Sequence, residues 1–205
     1  MTKKQASEIT GGLSHPDKMP GPAWNIPARR CITGSKLRKV SGSTCSHCYA
    51  LKGRYGFPIV QRALERRLKA HDDPRWEDAM VVLIGTHEWF RWFDSGDLQS
   101  VKMLQRIQNV CDRTPLTNHW LPTREYGIVQ QSLEIGPPPS NLTIRLSAHL
   151  VDRPPQTELA KRLGLVTSTV TTKQATCPAP SQENRCGSCR SCWNKAVANV
   201  SYAKH

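Results

Sequence analysis

The chain has 205 residues, with 29 Lys and Arg against 16 Asp and Glu, a net charge of +13 and a mean hydropathy of −0.52. No run approaches the ~18 apolar residues of a membrane span, and the polar first 22 residues lack the apolar segment of a secretory signal, so membrane and secreted classes are excluded and a cytoplasmic location is expected. Six Trp and a charged fraction of only 22% exclude a disordered chain and point to one domain with a small appendage.

Residues 1–22, with Gly11-Gly12, Pro16, Pro20 and Gly21-Pro22, show no periodicity and are expected to form a flexible N-terminal arm. Ala23 to Cys31 reads as an entering strand, and 32–44 as a basic loop rich in Gly and Ser. Pro58 to Ala70 is helical, with Val60, Leu64 and Leu68 on one face. Pro74 opens a second helix carrying Trp76, Ala79, Met80, Leu83 and Ile84. Trp89 to Phe93 is a strand, followed by a helix from about Leu98 to Cys111. Asn118 to Leu121 is a strand ended by Pro122, Glu125 to Ile135 a helix, and Leu142 to Ser147 a strand. Thr157 to Leu163 is a short helix with Gly164 as its cap, and Leu165 to Thr172 a strand.

This alternation predicts parallel βαβ units over residues 23–175, arranged as a partial (βα) barrel. The span is too short for a complete eight-fold barrel. Residues 176–205 form a Cys-rich segment followed by a predicted helix from Cys192 to Ala203.

Seven of eight cysteines fall in two sets. Clustered Cys in a chain without a secretory signal points to metal or redox chemistry. The first set is Cys31-x13-Cys45-x2-Cys48. Three thiolates are what a [4Fe–4S] cluster with one open iron requires, whereas a closed zinc site takes four ligands. Half of a zinc knuckle, with Cys31 unrelated, is the competing reading. The second set is Cys177-x8-Cys186-x2-Cys189-x2-Cys192, a run that suits an iron–sulfur cluster or, alternatively, zinc. Cys45 and Cys48 joining two of the C-terminal cysteines at one site is a further arrangement. Cys111, alone on an apolar helix face, reads as core.

Asp94 and Asp97 flank a glycine and suit a ligand amine or a metal, or Asp97 caps the following helix. Arg124-Glu125 suits a carboxylate or phosphate, or Thr123 caps the next helix. His119 and His149 face either the site or the core and surface. No Walker loop, His-Glu-x-x-His or Gly-x-Ser-x-Gly is present. Residues 1–75 carry 15 Lys and Arg against 5 Asp and Glu, which suits a nucleic-acid partner for the basic N-terminal part or, alternatively, a solvated, soluble face.

Cys45-Ser46-His47-Cys48 resembles the end of the radical SAM cysteine pattern, with His47 at the usually aromatic position. Phe93-Asp94-Ser95-Gly96-Asp97 is similar to the Gly-Gly-Glu strand motif of that family, and Arg91 and Arg124 point from successive strand regions. The whole chain most resembles the phage and mobile-element proteins designated gene product 88. The resemblance runs through Cys45–Ala50, Trp92–Leu98, Trp120–Glu125 and the Cys186–Trp193 run, over roughly residues 23–200. It implies a radical-SAM-like fold with a [4Fe–4S] cluster on Cys31, Cys45 and Cys48. It implies S-adenosylmethionine bound by Asp94, Ser95, Gly96, Asp97 and Arg124. One-electron reduction would then yield a 5′-deoxyadenosyl radical, the chemistry belonging to the cofactor. A second cluster, or zinc, would sit on Cys177, Cys186, Cys189 and Cys192. The spacer of 13 residues and the Ser-Gly-Asp triplet depart from that family's pattern. The alternative function is a non-catalytic basic metal protein that binds nucleic acid or serves as a structural or host-interaction component of the phage, virion association included.

Overall fold

A computed structural model describes residues 1–204. Six parallel strands form one open sheet whose spatial order follows chain order. They are β1 (Ala23–Trp24), β2 (Trp89–Trp92), β3 (Asn118–Thr123), β4 (Leu142–Ser147), β5 (Val166–Thr171) and β6 (Asn199–Ala203). The helices are α1 (Lys3–Thr10), α2 (Ile32–Leu37), α3 (Pro58–Ala70), α4 (Trp76–Ile84), α5 (Val101–Asp112), α6 (Tyr126–Ile135) and α7 (Thr157–Arg162). The expected α/β alternation is present as an all-parallel sheet. The sheet is open: among the described residues β1 and β6 do not pair.

The entering strand expected over 23–31 covers only β1, with a 3₁₀ turn at Ala28–Arg30 after it, and β3 runs through Pro122 to Thr123. Three further elements differ from expectation. Residues 3–10 form a helix rather than an irregular arm, because Thr2 and Gln5 make a reciprocal capping box and Gly11, at φ 78°, ends the helix in the left-handed region. Part of the expected basic loop is α2. The expected C-terminal helix is instead a 3₁₀ turn at Ser191–Trp193 followed by β6, whose backbone is taken up by pairing with β5.

The two faces of the sheet differ because side chains alternate along each strand. Phe90 and Trp92, Leu121, and Leu142, Ile144 and Leu146 point to the helices and build the main core with Trp24, Trp76, Met80, Leu104 and Ile107. The rings of Trp24 and Trp76 meet edge to face at 5.2 Å, and those of Phe90 and Trp92 at 4.8 Å. His71 and His119 lie in this core, and burial pulls their pKa values down to about 4 and about 3.

The opposite face carries Arg91, Trp120, Thr143 and Arg145. Arg145 is fully buried and has no carboxylate partner. All its donors go to main-chain carbonyls instead: Nε to Cys192, Nη1 to Thr167 and Val197, Nη2 to Ser191 and Asn194, at 2.6–3.0 Å. Thr143 donates to the Trp193 carbonyl at 2.7 Å, and Trp193 Nε1 donates to the Phe90 carbonyl at 2.9 Å. The Cys-rich segment is therefore fastened across the face that the helices leave free.

Candidate functional site

A cleft of about 600 Å³ opens on this second face, at the carboxyl ends of the strands. Sites in parallel sheets form there because the loops leaving successive strands converge. Both cysteine sets reach the cleft: Cys31, Cys45 and Cys48 on one side, Cys177, Cys186 and Cys192 on the other. Cys189 is not in its wall; its Sγ lies 3.4 Å from Ser191 Oγ.

The first set is held from neighbouring strand ends. Cys31 precedes α2, and Glu125, at the end of β3, grips that helix start. Glu125 Oε1 accepts from Thr33 N at 2.8 Å and Oε2 from Thr33 Oγ1 at 2.7 Å. Thr44 N donates to the His149 carbonyl at 2.9 Å, which fixes the Cys45 turn to the exit of β4. Arg124 Nε donates to Thr44 Oγ1 at 2.9 Å, and its charge beside Cys45 offsets part of the rise that burial imposes on that thiol. Burial chiefly, then Asp97 and the other two thiols, push the Cys31 pKa up strongly. Gly34 sits between the sulfurs: a Cβ there would stand 2.9 Å from Cys31 Cβ, 3.6 Å from Cys45 Sγ and 3.7 Å from Cys31 Sγ.

The acidic stretch after β2 is committed to the protein itself. Asn25 Oδ1 accepts from Asp94 N at 2.6 Å and Ser95 N at 3.3 Å. Ser95 pairs with Ile26 through its main chain and through Oγ. Gly96, at φ 87°, passes so close to Ile26 that a Cβ would lie 2.7 Å from its carbonyl oxygen, so this position requires glycine. Asp97 is 5% exposed; Oδ1 accepts from Leu98 N and Thr123 Oγ1, Oδ2 from Arg124 N, at 2.6–2.9 Å. Burial raises its pKa to about 6 against these bonds. Asp94 takes Arg91 Nη1 on Oδ1 at 2.7 Å and the Tyr55 hydroxyl on Oδ2. The Tyr49 hydroxyl donates to the Asp94 carbonyl.

The second set rests on Arg145 and on the N-terminal segment. Cys186 N donates to the Lys18 carbonyl at 2.8 Å and Cys177 N to the Ser201 carbonyl at 3.0 Å. Cys192 Sγ lies 3.2 Å from Tyr202 Oη, and burial pushes its pKa up to about 11. Arg91 lies on the cleft floor, its guanidinium 4.4 Å over the Trp120 ring, with a buried Nε that has no hydrogen-bond partner.

Several expectations are thereby placed. His119 lies in the helix-side core, with Nε2 2.9 Å from Thr114 Oγ1, and His149 stacks on Tyr126 at 4.6 Å; neither lines the cleft. Cys111 is core. Among the described residues, no three His, Cys, Asp or Glu side chains close around a single metal ion. No helix of the described residues is long and apolar enough to cross a membrane. Sequence reasoning missed Glu125 as the clamp on α2 and Arg145 as the anchor of the Cys-rich segment. Their partners are 92 residues away for Glu125 and 22 to 52 residues away for Arg145.

A family model described as gene product 88 matches residues 2–195. No curated protein and no solved structure matches the chain. The likeness to radical SAM proteins therefore rests on the cysteine and strand motifs alone.

Proposed function

The chain belongs to the gene product 88 family, and from that premise we propose that it is an iron–sulfur protein whose cleft holds a [4Fe–4S] cluster on Cys31, Cys45 and Cys48. The observation that carries the reading is Gly34. It leaves room where two sulfurs approach, in a loop clamped by Glu125 and the His149 carbonyl from two other strand ends. Thiolates on one zinc stand about 3.8 Å apart, given a Zn–S bond of ~2.3 Å. A four-iron cluster distributes its thiolates over separate irons, which suits sulfurs that do not close on a single ion. Arg124 beside Cys45 supplies positive charge against the thiolates. Cys177, Cys186 and Cys192 face the same space and would hold a second cluster, with Cys189 turned toward Ser191 until metal draws it in. A bound cluster supplies one-electron chemistry; the chain's part is to orient it and to shield it from water on the helix-free face.

The strand order supports reading the sheet as a partial barrel. Right-handed crossovers between sequential parallel strands all fall on one face, and the cleft occupies the other. Asp94, Ser95, Gly96, Asp97 and Arg124, which the radical SAM resemblance assigns to S-adenosylmethionine, all line the cleft. Asp97 accepts from three protein donors and Asp94 from Arg91 and Tyr55, which leaves each carboxylate fewer acceptor sites for the ligand's ammonium group. Cleavage of that cofactor is no part of the proposal.

The test is anaerobic reconstitution with iron and sulfide. About four irons and four sulfides per chain, or twice that with both sets filled, is the expected result. Cys45→Ala or Cys48→Ala should remove about four of each while Cys111→Ala removes none. Colourless protein carrying zinc, or undiminished iron in the Cys45 and Cys48 variants, overturns the reading.

A further inference from the structure

Between Arg29 and Lys69 the chain carries eleven Lys and Arg and a single acid, Glu65. The 3₁₀ turns at 28–30, 49–51 and 53–56 pack next to one another and against α2 and α3, so these charges share one surface, apart from Arg67, which is buried and donates to the Gly12 and Leu13 carbonyls. Arg30 Nε reaches Glu65 Oε1 at 3.4 Å across it, an exposed pair that neutralises one cation and leaves the rest.

On α3, Ile59, Arg62, Arg66 and Lys69 follow helical spacing and are exposed, while Leu64 and Leu68 turn inward to the core. The apolar face of α3 is thus already used. What remains outside is Phe57, 56% exposed, and Ile59, 69% exposed, set among Lys52, Arg54 and Arg62. A helix that lies on a membrane presents its apolar face outward, and α3 does the reverse. An isolated ring among cations matches single-stranded nucleic acid, where phosphates take the charges and bases stack on aromatics. The same surface runs into the cleft at Cys48 and Tyr49, and the cleft wall continues the charge with Lys18, Arg38, Arg124 and Lys204.

We propose that the surface formed by the 49–56 turns and α3 binds single-stranded nucleic acid, with phosphates on Lys52, Arg54 and Arg62, a base against Phe57, and the strand directed toward the cysteine-lined cleft. Only that last clause rests on the reading of the cleft given above.

The experiment is fluorescence anisotropy of the full chain with a labelled 12-nucleotide DNA or RNA strand and with the matching duplex, across 50–300 mM salt. Single strands should bind tighter than duplex. Three phosphate contacts give a log–log salt slope near −2, at about 0.7 per contact. Phe57→Ala should lose about tenfold on single strands, and the Arg54→Glu, Arg62→Glu pair should lose more. Both changes are on the surface and should leave thermal stability unaltered. Bound strand should also slow alkylation of Cys48 in metal-free protein. Equal affinity for duplex with no effect of Phe57→Ala, or no binding at 50 mM salt, overturns the proposal. So does binding to phosphatidylserine vesicles but not to the strand. Unchanged Cys48 alkylation overturns the path into the cleft. Iron content is measured on the same samples: strand binding by protein that takes up no iron removes the cluster and leaves this surface standing.

Discussion

The two faces of the sheet are built from the same strands and have opposite chemistry. On the helix side Phe90, Trp92, Leu121 and Ile144 make a dry core in which even His71 and His119 stay neutral. On the other side the alternate residues Arg91, Trp120 and Arg145 place two guanidinium groups and an indole ring beneath a cysteine-lined cleft. The alternation of a strand does two jobs here: one register holds the fold and the other holds the loops that carry thiols.

The largest effects come from breaking each face once. Trp92→Ala should cost about 4 kcal/mol by removing a fully buried ring from the core. Arg145→Met should cost a similar ~4 kcal/mol, because it leaves main-chain carbonyls buried without donors. Urea midpoints check both magnitudes, and alkylation under native conditions separates the mechanisms. Only Arg145→Met should expose Cys186, Cys189 and Cys192 while the rest of the chain stays folded. Equal exposure in both variants would erase the difference between the faces.

A smaller effect follows from pH. His71 and His119 have folded pKa values of about 4 and about 3, below the ordinary 6.5, so the unfolded chain takes up their protons first and stability falls as pH drops below 6.5. By pH 5 each costs ~2 kcal/mol. Asp97 acts oppositely: its folded pKa of about 6 exceeds the unfolded 3.8, so lowering pH from 7 to 5 returns ~1 kcal/mol. The net loss of about 3 kcal/mol is read from urea midpoints at the two pH values. His119→Gln should flatten the profile and Asp97→Asn should steepen it; a flat wild-type profile contradicts the assignment of the histidines to a dry core.

The smallest effect sharpens the cleft side alone. Glu125→Gln exchanges one acceptor oxygen for a donor facing Thr33 and should cost ~1–2 kcal/mol. Cys31 should become more reactive than Cys177 in this variant, as measured by alkylation rates. Unchanged Cys31 reactivity would mean that Glu125 does not position the loop.

What could be read from the residues alone was what is local. α3 begins and ends where Pro58 and the apolar spacing predict, and β4 spans the predicted Leu142–Ser147. α1 escaped notice because its turns are polar, although Thr2 and Gln5 carry the capping-box signature. The C-terminal helix was misread because Trp193, Val197 and Val200 have helical spacing, whereas their partners are β5 and the rings of Trp89 and Trp120. The cysteine sets are visible as sets, but that they face one cleft depends on strand order. The commitment of Asp97 to Thr123 and Arg124 likewise depends on contacts 26 and 27 residues away.

The distance along the chain between the two cysteine sets has a consequence for synthesis. A ribosome making roughly 5–20 residues per second delivers Cys48 on the order of ten seconds before Cys177. During that interval the first three thiols are outside the tunnel while the floor of their cleft, fastened by Arg145 to residues 191–197, does not yet exist. A nascent chain is therefore exposed to oxidation and stray metal at Cys31, Cys45 and Cys48 until residues 191–197 arrive and bond to Arg145.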